Sequence, residues 1–459
     1  MKKFIVFAVV LALLVPSLAM AATEFSLGGF IKLDAMWDSD NTVGKNLNGP
    51  AARNNANGSK HGRMKFTAQG SRFSFTIKGP DLWGAKTTGF IEMDFDSAEA
   101  GVSNVATSGA SKSYTPRLRH AMFRFNWPTS ELLFGQYFSM FSEWYAESAE
   151  DGPLQATGTP TARMAQVRFT QTFMSDWTVA ALVGDANSAL LGSTTYTNTA
   201  LNNGQYAETP QVQGKIKYAH DFWGKAAYYG KPIPFTIQFV GGWQRNVQRT
   251  GVQAAQTFGE GNFFTGNINL KNQYVNPWLA MGSMFIPVIP TSSANLAGTA
   301  SILTQWWIGQ GVEAFGFTGV NSNVYRFNNN FFGQLNYDVE LLNKYGGFVE
   351  GQYYFSNQWF VNALYGISKV FNVSRARFQQ GSAIGLGGME NAFTGDIPST
   401  IQQASATLWY RPIQAIKFGL QYSYMATSYL QMTTVPGATP NSTRFGDDHR
   451  VEFVGFFYF

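Results

Sequence analysis

The stretch VEFVGFFYF at 451–459 decides how the rest of the chain is read. Taken in steps of two, it separates into Val451, Phe453, Gly455, Phe457 and Phe459 against Glu452, Val454, Phe456 and Tyr458. The first set is apolar throughout, while the second starts on a carboxylate and finishes on a phenol. Period two marks a strand, because successive side chains leave opposite faces of a sheet. A buried strand of a soluble sandwich reads the same way, so the surroundings have to decide.

At the other end, Lys2 and Lys3 precede the apolar run 4–18, and Ala19, Met20 and Ala21 supply small residues for cleavage. This predicts a secretory leader at 1–21 and one domain at 22–459. Losing Lys2 and Lys3 leaves 31 basic residues against 28 acidic ones, a balance near +3 that gives nucleic acid nothing to bind. With 0 Cys, disulfides, thiolate metal sites and haem thioethers are excluded. Charged residues are only 13%, aromatics reach 16%, and mean hydropathy is still −0.13. Beyond the leader no run of about 18 apolar residues occurs. The nearest stretch, PWLAMGSMFIPVIP at 277–290, is short and holds Pro287 and Pro290. A membrane chain without spanning helices is left with a closed barrel.

Alternation recurs along the chain. Phe25, Leu27, Ile31, Leu33, Ala35 and Trp37 oppose Glu24, Ser26, Lys32, Asp34 and Asp38. Val212, Gly214, Ile216 and Tyr218 oppose Gln211, Gln213, Lys215 and Lys217, and Ile416, Phe418, Leu420, Tyr422 and Tyr424 oppose Lys417, Gln421 and Ser423. The clearest alternation is YRFNNNFFGQLNYDV at 325–339. Each stretch runs about ten residues, the length a tilted strand needs to cross a bilayer. The opposing faces carry amides and charges that a dry core leaves unsatisfied and a wet bore does not. Short links at 78–84, 126–130, 341–347 and 410–415 interleave with long polar links at 39–62, 97–114, 184–207, 246–266, 372–400 and 428–447. The expected fold is all-β: a transmembrane antiparallel β-barrel of about 16 strands, with 18 as the alternative, tight turns at one end and long loops at the other.

The order of several stretches resembles the Gram-negative general porins. SRFSFTIKGPDLWGAKTTGFIEMDFD at 71–96 is similar to their strand–turn–strand, RHAMFRFNWPTSELLFGQYFSMF at 119–141 to the next hairpin, and ARMAQVRFTQTFMSDWTVAALVG at 162–184 to the one after the constriction loop. The resemblance implies a water-filled channel for passive diffusion of small hydrophilic solutes and ions, and a homotrimer in the outer membrane among lipid and lipopolysaccharide. It implies no enzymatic activity and no cofactor. It also makes Val451, Phe453, Phe457 and Phe459 the signal read by the outer-membrane insertion machinery, with Gly455 departing from the pattern.

By order, the family's inward-folded loop corresponds to 139–162, which carries Glu143, Glu147, Glu150 and Asp151. The resemblance sets Arg72, Arg119 and Arg163 on the opposing wall. Alternation agrees for Arg72, because Phe73, Phe75 and Ile77 take the other face. For the next two strands it favours His120, Arg124 and Arg168 inside, with Arg119 and Arg163 outside unless a bulge intervenes. Carboxylates facing guanidiniums across a narrow aqueous gap set up a transverse field that orders water and dipolar solutes. His61, His120, His220 and His449 are scattered, and no spacing indicates a metal site. Two other classes fit the pattern: a barrel sheathing a multihaem electron conduit, and a plugged structural or adhesin barrel.

Overall fold

A computed structural model describes residues 23–40, 47, 49–54, 61–96, 114–186, 207, 209–251, 270–317, 323–329, 335–371, 398–429 and 444–459. The leader at 1–21 lies outside them.

The strands in chain order are β1 (Glu24–Asp38), β2 (Arg63–Thr67), β3 (Arg72–Lys78), β4 (Lys86–Asp94), β5 (Arg117–Asn126), β6 (Ser130–Phe138), β7 (Arg163–Phe173) and β8 (Trp177–Gly184). They continue as β9 (Gln211–His220), β10 (Ala226–Tyr228), β11 (Lys231–Ile233), β12 (Phe235–Trp243), β13 (Asn246–Gly251), β14 (Leu270–Val275), β15 (Trp278–Ile289) and β16 (Ala300–Gln310). Last come β17 (Asn323–Asn329), β18 (Leu335–Leu341), β19 (Asn343–Tyr354), β20 (Trp359–Val370), β21 (Pro398–Ile413), β22 (Ile416–Tyr429) and β23 (Phe445–Tyr458).

One antiparallel sheet of 17 strands holds all but β10, β11, β13, β14, β17 and β18. β2 and β3 pair end to end with the same strand, β1, across a break at 68–71, so they occupy one wall position and the barrel has 16. Closure is direct. β1 and β23 pair from Phe30↔Tyr458 to Asp38↔Arg450, which leaves neither the first nor the last strand with an open edge. The final residue joins this seam through Phe459 N–H to the Gly29 carbonyl at 3.2 Å. Gly29 sits at φ 146°, and a Cβ there would lie 2.2 Å from the Arg72 carbonyl oxygen and 3.2 Å from the Phe459 ring. Only glycine lets the terminal ring settle on the wall at this point.

The faces follow the alternation. Phe25, Leu27, Ile31, Leu33 and Trp37 are exposed on the outside while Lys32, Asp34 and Asp38 are buried inside. Val451, Phe453, Phe457 and Phe459 face outward and Glu452 and Val454 inward. The apolar stretch at 277–290 is a strand, and Pro287 falls where the β15–β16 register shifts. A proline, which cannot donate to the ladder, is tolerated at such an irregularity.

Two readings are corrected. The alternating stretch at 325–339 does not cross the wall: β17 and β18 pair with each other and stand outside the main sheet. Hairpins that rise beyond a membrane alternate as wall strands do, so period two alone does not place a strand. Likewise 341–347 is no tight turn, because β19 starts at Asn343 and runs on into the wall. The tight connections are 79–85, 127–129, 174–176, 355–358 and 414–415, all at one end, with 290–299 and 221–234 as longer members of that set.

Candidate pore constriction

After β6 the chain turns into the bore. Residues 140–142 form a single 3-10 turn, and Met140, Phe141, Ala146, Ala149, Leu154 and Ala156 are fully buried. Burying a connection leaves backbone polar groups that need partners. The wall supplies them. Gln213 accepts from the Met140 N–H at 2.8 Å and Gln421 from that of Ala149 at 2.9 Å. Trp307 donates to the Thr157 carbonyl at 3.1 Å, Gln305 to that of Gly158 at 2.9 Å and Ser368 to that of Ala156 at 2.9 Å. Gly366 permits the approach, since a Cβ there would meet the Thr157 Oγ1 at 2.5 Å. Inward amides that read as water-facing therefore hold a loop, from β9 round to β22.

The four loop carboxylates reach four different parts of the wall. Glu143 pairs with Lys215 at 2.5 Å and Arg168 at 3.2 Å. Glu147 pairs with Lys417 and accepts from Gln352 at 2.9 Å, while its own N–H donates to Glu350 at 3.0 Å. Asp151 lies 3.3 Å from Lys32 and 3.7 Å from Arg72. Glu150 instead accepts from Gln403 at 3.1 Å and Gln421 at 3.5 Å, and burial pushes its carboxyl above the usual range. Three of the four thus touch their cations. Opposed charges in contact act as struts that fix the loop, and the transverse field across open water shrinks accordingly.

The wall of β3 to β9 carries the other predicted residues. Arg119 and His120 are both buried on the inside. The β4–β5 register passes from Glu92↔His120 to Met93↔Leu118, so Arg119 is the extra residue of a β-bulge, and the parity of β5 changes there. The placement of Arg119 outside is therefore corrected. Its guanidinium pairs with Glu92 and Asp94, each at 2.6 Å. Arg124 points inward to Glu131 at 3.1 Å, and Arg168 faces the bore as alternation requires. Arg163 opens β7 where the loop rejoins the wall, within electrostatic range of Arg119, Arg117 and Tyr145 and 5.8 Å from the Phe138 ring centre. Among the described residues no carboxylate is in ion-pair contact with Arg163 or with Lys217, although Asp94 and Glu143 act on them from further off. Sequence reading passed over Lys217 and Arg117 as site residues, although Lys217 stands on the polar face of a stretch already resolved.

The opposite wall is different in kind. Phe285, Leu303, Phe348 and Leu364 on β15, β16, β19 and β20 face inward and are buried against Ala146 and Leu154 of the loop. Met281 and Trp307 do the same against Phe141, joined by Val312 and Phe315 of a 3-10 turn at Val312–Phe315 and, from β7 and β8, by Met164, Ala180 and Leu182. Among the described residues no group of acids and histidines could hold a metal ion.

No protein-family model matches this sequence, and no curated protein does. Solved structures do resemble the fold. The outer-membrane channel DcaP of Acinetobacter baumannii matches over 96% of this chain and 98% of its own, at 16% identity and a TM-score of 0.62. OprB of Pseudomonas putida matches over 95% and 94%, at 8% identity and a TM-score of 0.52. What these likenesses share with the chain is the fold, a closed antiparallel transmembrane β-barrel.

Proposed function

We propose that the chain is an outer-membrane porin, exported by its leader, that passes small hydrophilic solutes through the half of the bore left open beside the β3–β9 wall. The supporting observation is the contrast in charge pairing. Arg119, Arg168 and Lys215 are as buried in ion pairs as the charges of the packed side, but Arg72, Arg117 and Arg124 keep 23%, 34% and 30% of their side chains exposed. Arg163 and Lys217 add positive charge with no described carboxylate in ion-pair contact, Asp94 and Glu143 acting on them from further off. An aqueous passage with fixed cations outside ion pairs favours anions over cations of equal size. Shape and charge of this kind select solutes by size and sign, which needs no catalytic group.

The same reading places the short turns toward the periplasm, the exposed aromatic bands in lipid and lipopolysaccharide, and Val451, Phe453, Phe457 and Phe459 as the segment engaged by the insertion machinery. A homotrimer fits it. The packed half of the bore is the observation that favours the runner-up, a plugged structural barrel.

Planar-bilayer recording of the purified protein in a salt gradient tests both. A conducting channel whose anion-to-cation permeability ratio falls about twofold in Arg163→Ala or Lys217→Ala supports the proposal. A folded barrel that never conducts selects the plugged reading.

A further inference from the structure

The connection 221–234 departs from its neighbours at the short-turn end. It contains the hairpin of β10 and β11, which pairs Ala226↔Ile233, Ala227↔Pro232 and Tyr228↔Lys231. A solvated turn would leave such residues wet, yet Ala226 and Ala227 are buried to 0% and 2% exposure. Ala226 packs among the inward-facing Phe285, Leu303 and Phe348. Ser301, on the inner face of β16, donates to the Ala227 carbonyl at 3.1 Å, and Lys225 forms a two-bond bridge with Thr291. The hairpin has folded up into the bore.

Its tip reaches the constriction loop. The Tyr228 hydroxyl accepts from the Tyr145 N–H at 3.2 Å, and the Tyr228 ring packs on Trp144 at 4.9 Å. Tyr229 donates its hydroxyl to the Ala146 carbonyl at 2.8 Å while its side chain stays 43% exposed. Tyr229 and Gly230 both have positive φ, 48° and 74°. That conformation is ordinary for glycine and strained for tyrosine, and strain of this kind persists where the surroundings impose it. A large ring is thus held in an unfavourable backbone conformation, hydrogen-bonded at its far end to the loop and open on its side.

We infer that the β10–β11 hairpin builds a second constriction, on the short-turn side of the loop, and that Tyr229 sets the size of solute admitted there. This rests on the channel reading. Entry from the long-loop end is limited by the loop 139–162; entry from the short-turn end is limited first by the hairpin. The bore therefore has two unequal mouths, and a neutral polymer feels a different limit from each.

Graded polyethylene glycols added to one side at a time measure this in single channels, because a polymer small enough to enter lowers the conductance. Three proteins are compared: wild type, Tyr229→Ala, and a variant whose residues 225–233 are replaced by a Gly–Ser link. Retained β-sheet circular dichroism and a heat-modifiable electrophoretic shift establish that each is folded. The inference predicts that the replacement raises conductance by about 1.5-fold and Tyr229→Ala by less, following the widened cross-section. It also predicts that larger polymers enter from the short-turn side only, with the cut-off at the other mouth unchanged. Equal conductance and an unchanged cut-off at both mouths in the folded replacement would overturn the hairpin's role and leave the channel reading standing. Absence of conductance in all three, wild type included, would overturn both.

Discussion

The two halves of this bore solve opposite problems with the same strands. On the β12–β22 side, inward positions include Phe285, Leu303, Trp307, Phe348 and Leu364, interspersed with Gln305, Ser368 and Gln403. Those residues meet the folded-in loop, the apolar ones by burying area and the polar ones by satisfying its backbone. On the β3–β9 side charged inward positions are Arg72, Glu92, Arg117, Arg124, Lys215 and Lys217, paired in part and several partly exposed, while Met164 and Leu182 of β7 and β8 still pack on the loop. A wall that holds a plug and a wall that holds water differ in what a mutation costs. The packed wall answers in stability and the wet wall in conduction.

The largest effect is expected at Lys417. It is buried between Glu147 and the Trp409 ring, 3.7 Å from the ring centre, with Glu350 on the same loop residue. Lys417→Ala leaves two carboxylates together without their cation, at a cost of about 3–5 kcal/mol. The barrel should lose its heat-modifiable mobility at a distinctly lower temperature, and open-channel noise should rise as the loop detaches. A melting profile matching wild type would show that the packed wall is not held by this cluster.

Next comes Gly366→Val, which drives a side chain into Thr157. Overpacking of this kind costs about 1–3 kcal/mol, read again as a lower melting temperature. Unchanged melting would place the loop further from the wall than described.

On the wet side the order reverses. Arg163→Ala should cost only the contact of its guanidinium with the Phe138 ring, about 0.5–1 kcal/mol, while shifting the reversal potential toward cations. Arg72→Ala should shift it less, since Asp151 at 3.7 Å already offsets that charge. An Arg72 effect larger than that of Arg163 would break the distinction between cations in an ion-pair contact and cations without one. The recordings belong at low ionic strength, where such charges are least screened. Smallest of all is Lys78→Ala, at the exposed pair with Glu24 on the short-turn rim, which should alter neither melting nor selectivity.

Much of the barrel was legible because one wall face looks at lipid everywhere. The stretches ending at Asp38, Tyr218, Tyr424 and Phe459 kept their predicted faces, and the export of amides and charges to the other face gave the closed sheet its class. Legibility failed where a second rule governs. At Arg119 one inserted residue changes parity, and no local composition announces a bulge. At 325–339 a hairpin beyond the wall copies the wall's period. The inward amides gave no hint whether water or a loop backbone would be their partner. One signal was present and passed over: 277–290 is apolar on both faces, which sequence reading weighs only as a spanning helix and sets aside as too short. In a barrel, apolar residues on both faces mean that something dry lies inside, and the strand is β15, under the loop and the hairpin.

The central claim is that water and solute travel along one wall only. With 0 native cysteines, single substitutions can be probed one at a time with a charged, membrane-impermeant thiol reagent during bilayer recording. Arg124→Cys, Arg163→Cys and Lys217→Cys on the β3–β9 wall should react and reduce the current, while Leu303→Cys and Ser368→Cys beneath the loop should stay silent. Rapid block at Leu303→Cys and Ser368→Cys, with none on the β3–β9 wall, would contradict the account.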